Sequence, residues 1–267
     1  MATIIPAVNS KDGTRIAYDK VGHGPAVILV LGAMNTRKSE AELAELVSSH
    51  FTVITYDRRG RGDSTNNLPY SIEREIEDIE ALINEAGGSA LLYGHSSGGA
   101  LVLEAAIRLG KKIKKIAIYE APYNSSADAR RANKDYNEQL AKFLKAGNNG
   151  DAVALFMRIM GVPDEQVQGM RHAPTWKTME QMAPTLAYDS AVLGADGAVP
   201  SERLADISVP TLVMSGRDSP AWFHDTAGAL SKAIPGSSLR VLEKQTHHVR
   251  PEVLAPVLAA FFSGTGR

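Results

Sequence analysis

Apolar and polar positions along this chain alternate between two periods. Short runs such as Ala-Val-Ile-Leu-Val-Leu (26–31) are apolar throughout, as expected of a strand covered on both faces. Others repeat every three to four residues, as in the stretch 71–85, where Ile72, Ile76, Ile79 and Ile83 recur at helical spacing. The pattern predicts strands over 14–18, 26–31, 51–56, 91–93, 113–119, 209–215 and 238–242. It predicts helices over 39–48, 71–85, 99–106, 222–233 and 251–262. Ser71 stands at an N-cap position with Glu73 and Glu75 in the first turn, Gly87-Gly88 closes that helix, and Pro251 falls in the first turn of the last one. Strand and helix therefore alternate, which argues for a mostly parallel sheet with helices on both faces. The alternation is interrupted once: 122–204 shows helical patterns and turns but no convincing strand. The expected organisation is a core formed by 1–121 and 205–267, with 122–204 inserted as a helical cap.

Composition narrows the chemistry. There are 267 residues and no cysteine, so disulfides, thiolate metal sites and a cysteine nucleophile are all excluded. The net charge is −1 with no basic stripe, which gives nucleic acid no electrostatic footprint. The one basic cluster, Lys111-Lys112-Ile113-Lys114-Lys115, lies between a helix and a strand and reads as a solvated loop. No apolar run is long enough to span a bilayer, and the first residues lack a signal-peptide layout. The expectation is a cytoplasmic protein without membrane or nucleic-acid partners, acting on a small molecule; a homodimer stays open.

One segment carries most of the chemical signal. Gly94-His95-Ser96-Ser97-Gly98 lies between the strand at 91–93 and the helix at 99–106, the strand–turn–helix setting of a nucleophile elbow. A sharp turn there needs small flanking residues, exposes Ser96, and starts a helix whose free N–H groups favour negative charge. A serine hydroxyl needs a base, and the base needs a group to orient it. In elbow-type sheets these follow in the order serine, acid, histidine. Asp218 follows the strand at 209–215, and the pair His247-His248 follows the last strand. His247 is the first choice of base and His248 the alternative. Asp218 is the first choice of acid. Glu120, at the end of the strand at 113–119, is the alternative, because a carboxylate there faces the ligand crevice. His95 is read as a packing or hydrogen-bonding residue.

With these pieces in order, the chain resembles the α/β-hydrolase superfamily over essentially its whole length, within it the cofactor-independent bacterial serine hydrolases. The matching residues are Leu31-Gly32-Ala33, Tyr56-Asp57-Arg58-Arg59-Gly60-Arg61-Gly62-Asp63-Ser64, the elbow, Gly216-Arg217-Asp218 and the terminal histidine. The resemblance implies an eight-stranded, mostly parallel sheet with a helical cap, a catalytic triad, and an oxyanion hole made by the backbone N–H groups of Ala33 and Ser97. It implies no metal and no organic cofactor. Many relatives carry His-Gly where this chain has Leu31-Gly32, which brings Met34 and Asn35 near the mouth of the site. The arginine-rich loop 57–64 reads as charges that pair with each other rather than as an anion site.

Five of the eight methionines lie within 122–204, accompanied by Phe156, Trp176 and Tyr188. They read chiefly as the core of the insertion, with Met160 and Trp176 expected to touch substrate beside Met34. The favoured activity is hydrolysis of a small to medium, apolar, uncharged ester or lactone. The same residues would suit hydrolysis of a carbon–carbon bond, or cofactor-free perhydrolysis supporting halide oxidation. A ligand receptor on a hydrolase scaffold and a non-hydrolytic tailoring enzyme are the readings from other classes.

Overall fold

The computed structural model describes residues 5–264. The strands are β1 (Ala7–Asn9), β2 (Arg15–Gly22), β3 (Ala26–Val30), β4 (Thr52–Tyr56), β5 (Ala90–His95), β6 (Ile113–Tyr119), β7 (Thr211–Gly216) and β8 (Ser238–Leu242). They form one eight-stranded sheet in the order β1-β2-β4-β3-β5-β6-β7-β8. β1 pairs with β2 and β2 with β4 in antiparallel fashion; the other neighbours are parallel. The helices are α1 (Ala41–Val47), α2 (Ile72–Glu85), α3 (Ser97–Leu109), α4 (Ala127–Lys145), α5 (Asn149–Ile159), α6 (Asp164–Met170), α7 (Pro174–Met182), α8 (Leu186–Leu193), α9 (Ser201–Leu204), α10 (Ala221–Ala233) and α11 (Pro251–Ser263).

The uninterrupted apolar runs resolve into two faces through the two-residue period of a strand. Ile28 and Val30 of β3, with Leu92 of β5 and Ile116 and Ile118 of β6, pack with residues of α2, α3 and α10. Val27 and Leu29, with Leu91, Tyr93, Ala117 and Tyr119, pack with residues of α1 and α11. Every residue of β3 is buried, as a central parallel strand requires.

Two local expectations change. The early strand at 14–18 extends to Gly22 and gains a three-residue partner, β1, that is too short to leave a periodic signal. Ser71 occupies the N-cap of α2, but its side chain caps no backbone N–H; its carbonyl accepts from Arg74 instead. Between β6 and β7 the chain runs through α4 to α9 and makes only an isolated bridge, Asn124 to Ala198. The helices α4, α5, α6, α7 and α8 share an apolar cluster around Tyr136, Leu140, Val153, Val167, Trp176 and Leu186. Ala33 and Met34, from the loop after β3, pack against that cluster.

Candidate active site

β5 ends at His95 and α3 begins at Ser97, so Ser96 alone makes the turn, at φ 57° and ψ −132°. This is a left-handed conformation, uncommon for a residue with a side chain. It is held by the Ser96 N–H, which donates to Tyr119 O at 3.0 Å, and by the Ser96 carbonyl, which accepts from Gly99 N at 2.8 Å. Two glycines make room. A Cβ at position 98 would stand 2.1 Å from the Val30 carbonyl oxygen, and one at position 32 would stand 2.7 Å from Ser96 Cβ. The loop after β3 thus touches the half-buried Ser96 directly, and only a bare backbone fits between them.

His247 comes from the loop after β8, with its ring 4.8 Å from that of His95, the residue before Ser96. His247 Nδ1–H donates to Glu120 Oε2 at 2.8 Å, leaving Nε2 as the ring's proton acceptor. Glu120 stands one residue beyond β6 at φ 47°, and its side chain is fully buried. Its other oxygen, Oε1, accepts from Gly216 N at 2.7 Å, so both carboxylate oxygens are engaged. Two rings lie against the imidazole. Phe223 stacks on one face, with centroids 4.8 Å apart and planes 15° apart, and the His95 ring also lies 4.8 Å away. His95 Nε2–H donates to the His247 carbonyl at 2.9 Å. Burial, with the neighbouring His247 adding to it, pushes the His95 imidazole down to about 3, so it is a neutral ring at ordinary pH. The Tyr119 hydroxyl donates to Thr246 O at 2.5 Å, and Gln245 accepts from Arg250 N through its side chain.

The first-choice acid stands elsewhere. Asp218 is exposed, and its backbone N–H donates to Gln245 O in the histidine loop at 2.9 Å. The chain crosses at Gly216, where a Cβ would lie 2.3 Å from Gln245 O, and the loop carries Asp218 past the crossing into solvent. Glu120, the alternative, takes the contact with His247. His248, the alternative base, is exposed and meets His247 only edge-on.

Of the pocket residues expected from the sequence, Met34, at φ 60°, packs against the apolar cluster of the helices between β6 and β7. Trp176 is buried within the insertion's own core, its indole N–H donating to Glu180 Oε1 at 3.1 Å. Met160 is exposed at the end of α5. Helical periodicity marked the apolar stripe but not which part of it these helices bury among themselves.

The arginine loop is a buried ion-pair network. Arg59 pairs with Asp78 and Asp12. Arg58 grips Glu75 with Nε and Nη2, at 2.7 and 2.6 Å, and Asp189 Oδ1 with Nη1, at 2.7 Å. Arg61 donates to Asp189 Oδ2 at 2.7 Å, to Gly32 O at 2.7 Å and to Thr185 Oγ1 at 3.1 Å. The Ser97 hydroxyl donates to Asp189 Oδ1 at 2.7 Å. Burial alone would raise the Asp189 carboxyl; Arg61 and Arg58 outweigh it and hold the group below its ordinary value. The charge pattern of the loop points to internal pairing but not to Asp189, which lies on α8.

A serine in a strained strand-to-helix turn, a carboxylate-bound histidine and glycine-bounded backbone beside the serine are groups that nucleophilic acyl transfer uses. An alpha/beta hydrolase from Sphaerobacter thermophilus is 47% identical, superimposes with a TM-score of 0.86, and covers 96% of this chain and 100% of its own. A candidate carbamate hydrolase, RutD, from Azorhizobium caulinodans is 25% identical over 91% of this chain and 93% of its own. The (E)-2-((N-methylformamido)methylene)succinate hydrolase of Acinetobacter baylyi is 23% identical over 93% of this chain and 94% of its own. Residues 27–257 match the profile of the alpha/beta hydrolase family. Sheet order, elbow and relatives converge on one assignment: this chain is an enzyme of the α/β-hydrolase family.

Proposed function

We propose that the chain is a serine hydrolase of neutral, small to medium carboxylic esters or lactones, working through an acyl-enzyme on Ser96. The observation that supports it most is the hydrogen bond from His247 Nδ1–H to the buried Glu120 carboxylate, which fixes the tautomer that leaves Nε2 basic. In this mechanism Nε2 takes the Ser96 proton as Oγ attacks the substrate carbonyl. Charge develops on the carbonyl oxygen, and the N–H groups of Ala33 and Ser97 receive it. The imidazolium, stabilised by Glu120, then returns the proton to the leaving alkoxide. Water repeats the sequence on the acyl group and frees the acid.

The neutral substrate class rests on how the charges near the site are used. Arg58 and Arg61 are committed to Glu75 and Asp189, so neither is left to bind a substrate carboxylate. Ala33 and Met34 pack against the same apolar cluster as Phe156, Met157 and Met179, and we read that insertion as the roof of the pocket. This contrasts with the succinate-derived substrate in the name of the Acinetobacter relative. The test is a panel of neutral p-nitrophenyl esters and lactones beside doubly anionic esters. Ser96-dependent turnover of the neutral set is expected; a strong preference for the dianions overturns the substrate class.

A further inference from the structure

The buried network around Asp189 does more than pair charges, because it ends on both sides of the proposed oxyanion hole. Arg61 Nη1 donates to Gly32 O at 2.7 Å, and Gly32 O shares a peptide group with the N–H of Ala33. In a trans peptide the C=O and the following N–H point in opposite directions within one plane. A guanidinium holding the Gly32 oxygen therefore fixes the direction of the Ala33 N–H. It also draws electron density toward that oxygen and makes the N–H a stronger donor, as chained hydrogen bonds do in a low-dielectric interior. Arg58 Nη1 holds the preceding carbonyl, Leu31 O, at 3.3 Å. On the other side, Asp189 accepts from the Ser97 hydroxyl at 2.7 Å, and Ser97 supplies the second N–H. Asp189 binds both guanidiniums at 2.7 Å, so one carboxylate from α8 spans the two halves of the hole.

We infer that Arg61, braced by Asp189, is a positioning residue that aims and polarises the Ala33 N–H for the oxyanion. The inference rests on the reading of Ser96 as nucleophile. Gly32 cannot carry a side chain to brace itself, because Ser96 Cβ occupies the space.

The test compares Arg61→Met and Arg61→Lys with Arg59→Met. Arg59 is an equally buried arginine whose partners, Asp78, Asp12 and the Arg74 carbonyl, lie apart from the hole. Each variant is titrated with a fluorophosphonate, then assayed for p-nitrophenyl butyrate hydrolysis per titrated site and for binding of an alkyl trifluoromethyl ketone. That ketone adds to an activated serine and places an oxyanion in the hole. For Arg61→Met, kcat per site should fall ten- to a hundredfold with KM within about threefold, in keeping with partial loss of one hole donor. Affinity for the trifluoromethyl ketone should fall by the same factor as kcat/KM. Arg61→Lys should be intermediate, and Arg59→Met should keep its kcat per site while losing thermal stability. Wild-type kcat and ketone affinity in Arg61→Met overturn the inference. Should that variant not fold, Arg61→Lys decides: an intermediate loss sustains the inference and wild-type values overturn it. An unlabelled wild type would instead defeat the reading of Ser96, so the two failures are distinct.

Discussion

Glu120, one residue past the end of β6, accepts a 2.8 Å hydrogen bond from His247 Nδ1, while Asp218, at the position the sequence favoured for the acid, is exposed. Glu120→Ala should therefore lower kcat by three to four orders of magnitude, because the imidazole loses both its orientation and its counter-charge. Asp218→Ala should stay within about threefold of wild type. Steady-state kinetics on one neutral ester checks both variants, and the reverse pattern would reassign the acid.

The two close approaches at the elbow separate folding from catalysis. Gly98→Ala drives a Cβ to 2.1 Å from Val30 O, in the middle of the sheet, and should destabilise the protein by about 3 kcal/mol or more. Gly32→Ala meets Ser96 Cβ at 2.7 Å and should abolish covalent labelling of Ser96 with a smaller drop in melting temperature. Denaturation curves and labelling rates measured side by side distinguish them.

Asp189 ties α8 to the arginines. Removing its carboxylate takes the ion-pair partner from the buried Arg61 guanidinium and leaves Arg58 with Glu75 alone, so Asp189→Ala should cost about 3–5 kcal/mol of stability. Ser97→Ala removes one hydroxyl donor and leaves that ion pairing in place, so it should cost about 1 kcal/mol. It keeps the backbone N–H, and kcat should stay within about tenfold. Urea titration of both variants measures the difference; equal costs would contradict the network as drawn.

His95 gives a pH signature to stability. Its folded value is depressed to about 3 from an ordinary 6.5. Above the ordinary value both states hold a neutral ring. As pH falls from about 6.5 toward 3, the unfolded chain binds a proton that the native state refuses, so stability is lost on that descent, by up to about 1.4 kcal/mol per pH unit. His95→Gln removes this titration while retaining a side-chain donor for the His247 carbonyl. Its unfolding free energy, measured between pH 7 and 4.5, should fall less steeply than that of wild type; parallel slopes would contradict the assignment.

The sheet and its flanking helices were legible because period-two and period-3.6 patterns are local properties, and β3 shows it: one apolar run of five residues divides cleanly between the two faces. The turn at Ser96 was legible for a similar reason, since its strand and helix are contiguous in the chain. The carboxylate that binds His247 was not. Glu120 and Asp218 both follow the carboxyl ends of adjacent strands, β6 and β7, and the choice depends on where the 245–247 loop crosses Gly216, a contact between distant segments. Arg61 and Asp189 are 128 residues apart in the chain, so charge patterning could place the arginines in a neutralised loop without naming the partner. Trp176 and Met160 lie on amphipathic helices whose pattern reports burial, not whether the burying surface is substrate or protein.

The central claim is that Ser96 is a nucleophile activated by the His247–Glu120 pair. Intact mass after treatment with a fluorophosphonate tests it most directly, with wild type beside Ser96→Ala and Glu120→Ala. A single adduct on wild type, none on Ser96→Ala and strongly slowed labelling of Glu120→Ala is the predicted result. An unmodified wild type, or an adduct that persists in Ser96→Ala, would contradict it.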